Sequence, residues 1–95
     1  MRVKKIKEIE QRVCEVFEVT TDQLKGKRGK REISDARHVA WWLMVKLPGL
    51  PRELIARRYQ TSQSAITQAI QKIDDLLSIK DPISDKTFKV VSKLS

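Results

Sequence analysis

Residues 54–73 read LIARRYQTSQSAITQAIQKI, and their spacing decides the fold. Leu54, Ile55 and Tyr59 give a short helix an apolar face, with Pro51 suited to its first turn because its missing N–H would be unpaired there. A few polar residues later Ser62 can cap a longer helix whose inward positions are Ile66, Ala69, Ile70, Ile73, Leu76 and Leu77. Ala56 is small where the two helices would cross closely. Tyr59 and Ile66 can fill the space between them, and Ile70 and Ile73 can anchor the second helix. Two helices joined by so short a polar turn make a helix-turn-helix.

That arrangement leaves Gln63, Ser64, Thr67, Gln68 and Gln71 on or near the open side of the second helix. Such uncharged amides and hydroxyls can hydrogen-bond base edges in a DNA major groove, Gln pairing with adenine. A face of this kind is ordinarily just solvated. Here it stands beside Arg57, Arg58 and Lys72 and lacks the Glu and Lys mixture of a common solvent face.

Upstream, Val3, Ile6, Ile9, Val13, Val16 and Phe17 recur at spacings of three and four, predicting an amphipathic first helix with its charges on the opposite face. Thr20 and Thr21 followed by Asp22, Gln23 and Leu24 predict a cap and a single helical turn. KGKRGKRE, residues 25–32, reads as a loop, since two glycines and like charges support neither a helix nor a core face. Ser34 is placed to cap a third helix with Val39, Ala40, Leu43 and Leu47 inward, ended by Pro48 and Gly49. Asp81 and Pro82 break the long helix. A last one is expected to start at a Ser84 cap and bury Ile83, Phe88, Val91 and Leu94. With no strand-like alternation and no internal repeat, the expected fold is all-α, a compact bundle of about six helices containing a helix-turn-helix.

Ninety-five residues suit one domain, 1–95, and the opening Met1 and closing helix suggest a free-standing unit. Twenty Lys and Arg oppose twelve Asp and Glu, a formal charge of +8, and a pI near 9.9 makes nucleic acid the first partner to weigh. The excess is localised: residues 25–37 carry six basic and two acidic side chains, and residues 52–72 four and one. No apolar run is long enough to span a bilayer, and Cys14 has no internal disulfide partner, which suggests a reduced, cytoplasmic setting. The basic start could lie on an anionic membrane, but Glu8, Glu10, Glu15 and Glu18 on the same helix argue against it.

The remaining residues of chemical interest read more simply as structure. Adjacent on a helix, Trp41 and Trp42 point about 100° apart, so one is core and the other covers an edge or a partner surface. His38 has no cysteine or carboxylate cluster nearby to complete a metal site and reads as a helix-surface residue. Cys14 reads as packing, and Asp74 and Asp75 as surface charge. No nucleophile–base pair, metal set or cofactor motif is present, so no enzyme, cofactor or small-molecule substrate is expected.

The chain resembles the C-terminal DNA-binding domain, domain IV, of the bacterial replication initiator DnaA, a Trp repressor-like fold. The resemblance covers most of the sequence. It includes the first amphipathic helix, the turn ending at Leu24, Lys27 and Arg28, Ala36 and Arg37, and Leu43. It resumes at Ile55, Arg57, Arg58 and Tyr59, then Ser64, Ile66, Ala69, Lys72 and Ile73. In that family the basic loop enters the minor groove and the helix-turn-helix reads the adjacent major groove. The resemblance therefore implies the first role for Arg28 and Arg31 and the second for Ser64. Where the family carries a Gly-rich turn, an Asp-His pair and two hydroxyl residues, this chain has Gln60, Thr61, Ser62, Gln63, Ser64 and Ala65, one residue fewer. A different target sequence is expected. Without a GxxxxGK[ST] phosphate loop it cannot itself be an ATP-driven initiator.

The resulting expectation is a sequence-preferring binder of double-stranded DNA, bacterial or phage-encoded and nucleoid-associated, acting in replication or transcription. Lys27, Arg28, Lys30 and Arg31 would supply the loop contact, and Ser62, Gln63, Ser64, Thr67 and Gln68 the groove contact. Phosphate contacts would come from Arg37, Arg57, Arg58 and Lys72. The rivals are a protein-interaction module that binds a replication or regulatory partner through the Trp41 and Trp42 helix, and a binder of structured RNA.

Overall fold

The computed structural model describes the backbone of residues 2–26 and 29–94 and the side chains of residues 5–26 and 29–94. Val3, Lys27 and Arg28 thus have side chains outside the described residues. Six helices follow in order: α1 (Arg2–Phe17), α2 (Thr21–Lys25), α3 (Arg31–Lys46), α4 (Arg52–Arg58), α5 (Gln63–Ser78) and α6 (Ile83–Leu94). No strand occurs among the described residues, and no helix is long and apolar enough to cross a membrane. The central α3 packs against both α1 and α5, α4 leans on α5, and α6 closes the opposite side against α1 and α5.

The expected core is largely the observed one. Ile6, Ile9, Val13 and Phe17 of α1 meet Val39, Ala40 and Leu43 of α3 and Ile66, Ala69, Ile70 and Ile73 of α5, all buried. Thr20 caps α2 through a full capping box: its hydroxyl accepts from the Gln23 N–H at 3.1 Å, and Gln23 Oε1 accepts from the Thr20 N–H at 2.9 Å. Ser62 caps α5 by accepting from the Ala65 N–H at 3.1 Å.

Three helices end in a left-handed residue that is not glycine. Glu18, Gln60 and Lys80 have φ of 58°, 52° and 57°. In each case the next N–H bonds a carbonyl five residues back: Val19 to Cys14, Thr61 to Ala56 and Asp81 to Leu76. This Schellman geometry satisfies carbonyls that the helix end would otherwise orphan.

Several local expectations are corrected. The basic loop is shorter than 25–32, because α2 runs through Lys25 and α3 begins at Arg31 with Lys30, not Ser34, at its cap. Gly29 explains the early start: its bare Cα lies against Ile33, where an added Cβ would come within 2.9 Å of that side chain. Pro51 occupies the cap of α4, one residue outside the helix. Leu47 is 53% exposed, because the chain reverses at Gly49 (φ 70°) and sends Leu50 inward in its place. In α6 the expected inward Phe88 is 72% exposed, while Thr87 and Val90 are buried with Ile83. Thr87 tolerates burial because its hydroxyl donates to the Ile83 carbonyl at 2.8 Å. Asp81, not Ser84, opens this helix: its carboxylate accepts from the Ile83 N–H at 3.0 Å.

Candidate nucleic-acid interface

Ala56, Tyr59 and Ile66 are buried where α4 and α5 meet, as a helix-turn-helix requires. The left-handed Gln60 turns the chain, and Ser62 then starts α5. With its inner stripe buried, α5 exposes Gln63, Ser64, Gln68 and Gln71 and leaves Thr67 half-buried beside them. Its first turn holds no acidic residue, so the positive end of the helix dipole is uncompensated.

The basic segment lies next to this turn. A cleft of about 280 Å³ is lined on one side by Lys25 and Gly26, at the root of the loop, and on the other by Tyr59, Gln60 and Thr61, with Arg37 and Trp41 between them. Lys30 and Arg31 are exposed on the far side of the loop, and Lys27 and Arg28 lie outside the described residues. The fold therefore brings the first end of the loop beside the turn of the helix-turn-helix, while Arg31, at the other end, borders a separate cleft with Asp81, Pro82 and Lys86.

The cations expected at phosphates divide into two kinds. Arg57 is open to solvent and pairs with its own helix neighbour Glu53, at 2.7 Å. Lys72 is half-exposed, 4.0 Å from Asp35. Arg37 and Arg58 are instead used inside the fold. Arg37 donates to the Leu24 and Gln23 carbonyls, and burial lowers its pKa. Arg58 forms a two-pronged pair with Glu10 at 2.9 and 2.8 Å.

Glu10 is the functional-region residue that sequence reasoning misplaced. Read as part of the solvated face of α1, it is only 2% exposed and also accepts the Tyr59 hydroxyl at 2.6 Å. Burial pushes its carboxyl up, but the Arg58 and Tyr59 hydrogen bonds and the charges of Arg58 and Lys25 outweigh this and hold it below the usual range. Burial and the Glu10 charge together push the Tyr59 hydroxyl far up, so it stays a donor. A signal was present: Ile6, Glu10, Val13 and Phe17 form an i, i+4, i+7, i+11 stripe, which places the acid on the buried face.

The aromatic and histidine readings resolve similarly. Trp41 is core and meets the Tyr59 ring edge-on at 5.5 Å, while Trp42 is half-buried and donates its indole N–H to Asp74 at 2.7 Å. Asp74 is therefore a tie between α3 and α5 in addition to surface charge. His38, expected on the surface, is half-buried against Trp41, with ring centroids 5.6 Å apart. Burial first, and then Lys72 and Arg37, lower its pKa against the pull of Asp35. Cys14 is partly buried against the core, as expected of a packing residue, and burial raises its pKa.

The family described as the bacterial DnaA protein helix-turn-helix matches residues 6–73, from the start of the α1 core stripe through the last buried position of α5. The chain belongs to this family. It is thus an all-helical, DnaA-like DNA-binding domain with a helix-turn-helix formed by α4 and α5, and α6 lies beyond the matched segment. Among curated relatives, the chromosomal replication initiator protein DnaA of Oleidesulfovibrio alaskensis is 26% identical over 84 residues, 88% of this chain and 18% of that protein. DnaA of Pseudothermotoga lettingae is 25% identical over 64 residues, 67% of this chain and 14% of that protein. The chain spans less than a fifth of the length of either relative.

Proposed function

We propose that residues 1–95 act as one domain that binds double-stranded DNA with sequence preference, in control of replication or transcription at the nucleoid. One observation carries this reading: an uncharged polar face, Gln63, Ser64 and Gln68, lies exposed at the acid-free start of α5, directly after the Gln60 and Thr61 turn that borders the basic loop root. The polar face reads base edges, with Thr67 at its margin and Ser62 contributing chiefly as the cap. Lys27, Arg28, Lys30 and Arg31 supply the loop contact, the DnaA-type resemblance implying the minor-groove role for Arg28 and Arg31 among them. Arg57 and Lys72 are the proposed phosphate contacts, with Arg37 contributing what its remaining N–H groups can reach. Arg58 leaves that set, because the buried Glu10 carboxylate neutralises its charge, whereas the partners of Arg37 are uncharged carbonyls.

Phosphate contacts set affinity and its salt dependence, whereas base contacts set discrimination. The decisive test is fluorescence anisotropy against two labelled duplexes, one carrying the DnaA box and one scrambled, at low and near-physiological salt. Salt-sensitive binding supports the reading. Preference for the box identifies a regulator sharing the initiator's sites, and equal binding calls for selection of the chain's own sequence from a random pool. Arg28→Ala is expected to weaken binding to every duplex and flatten the log–log salt slope by about one. Gln63→Ala is expected to relax preference at one base pair by roughly 1–3 kcal/mol. Absence of binding to either duplex at low salt refutes the proposal in favour of a protein-interaction module.

A further inference from the structure

Glu10 is the one buried acidic side chain among the described residues, and it belongs to a helix whose role lies outside the proposed DNA face. All three of its bonds go to Arg58, the last residue of α4, and Tyr59, the first residue of the turn before the recognition helix. We infer that Glu10 is a positioning residue for DNA recognition, holding the helix-turn-helix turn at a set distance from the root of the basic loop. This rests on the sequence-preferring DNA binding proposed above.

The contacts run without a break from one DNA-facing arm to the other. The Tyr59 ring, held at its hydroxyl by Glu10, packs edge-on against Trp41 of α3. One helical turn back on α3, Arg37 grips the Leu24 and Gln23 carbonyls at the end of α2, next to Lys25 and Gly26 at the loop root. Two arms that must reach adjacent grooves together need their separation kept to about half an ångström.

Stability alone gives a weak reason for the cluster. A buried ion pair is commonly no better than apolar side chains of the same volume, because both charges lose water. What Glu10, Arg58 and Tyr59 supply that Leu and Phe would not is direction. The flat guanidinium meets the carboxylate in a fork that fixes rotation as well as distance, and the phenol adds a third point.

The test begins by selecting a preferred duplex from a randomised pool with the wild-type chain. Affinities for that duplex and for a scrambled one are then compared in wild type, Glu10→Gln and Tyr59→Phe, well below each melting temperature. Tyr59→Phe keeps both the ring and the net charge, and it decides alone should Glu10→Gln fail to melt cooperatively. A positioning role predicts a loss of about ten-fold on the selected duplex, the size of one lost base contact. Binding to the scrambled duplex stays within about two-fold, because phosphate contacts tolerate misplacement. Parallel losses on both duplexes, or an unchanged preference in the variants, overturn the inference while leaving the DNA reading in place. A wild-type chain that binds selected and scrambled duplexes alike overturns both.

Discussion

The Arg37 guanidinium donates from Nε to the Leu24 carbonyl at 2.7 Å and from Nη2 to the Gln23 carbonyl at 3.2 Å. A side chain of α3 thereby closes the C-terminus of α2, where partial negative charge gathers on the last carbonyls, of which Gln23 also accepts from the Gly26 N–H. The positive charge is useful there, but so is the fork, since both acceptors are met at once. Arg37→Lys keeps the charge and loses the fork. Urea unfolding is expected to show a loss of about 1.5 kcal/mol. DNA affinity should fall with little change in salt slope, because the loop root is displaced while the cation count is kept.

Acid should destabilise this domain in two stages. His38 has its pKa lowered below 6.5 by burial, with Lys72 and Arg37 adding to the effect. The unfolded chain therefore takes up that proton first, and stability falls as pH drops below about 6.5. Glu10 has a lowered pKa too, so its contribution is present above the ordinary value of 4.5 and is lost as pH falls through the lower folded value. Urea midpoints across pH 8 to 3 check this. His38→Gln should flatten the upper stage and Glu10→Gln the lower one, and unaltered profiles would contradict the assignment. At neutral pH, Glu10→Gln should also cost about 3 kcal/mol, since Arg58 would be left half-buried without its counter-charge.

Gln60 ends α4 in a left-handed conformation, φ 52°, that costs an L-residue roughly 1 kcal/mol. Gln60→Gly should remove that strain, less what glycine gains in the unfolded chain, and raise the melting temperature by about 2–4 °C. Gln60→Ala serves as the control: it removes the same side chain and keeps the strain, so no rise is expected by calorimetry.

Along α6 the buried positions are Ile83, Thr87 and Val90, and Phe88 points to solvent. Val90→Ala should therefore cost about 2 kcal/mol in urea unfolding. Phe88→Ala, the larger truncation, should stay within about 0.5 kcal/mol. The reverse order would mean that the helix is rotated from the register described.

What local chemistry dictates could be read without coordinates. The α4 and α5 pair, the Ser62 and Thr20 caps, and the inward places of Ala56, Tyr59, Ile66, Ile70 and Ile73 all follow from a 3.6-residue period and from side chains that bond their own backbone. So does the exposed polar face of α5. Whatever depends on a partner distant in the chain was decided by packing. Whether an arginine is free for a phosphate or spent inside the fold turns on an acid 48 residues away for Arg58 and on carbonyls 13 and 14 residues away for Arg37. The start of α3 turned on Ile33 settling against Gly29, and the register of α6 on a threonine that could satisfy its own hydroxyl. A sequence shows which groups carry charge or apolar surface. Only the assembled helices determine which of them lose water, and it is that loss which makes a charge an internal clamp instead of a contact for DNA.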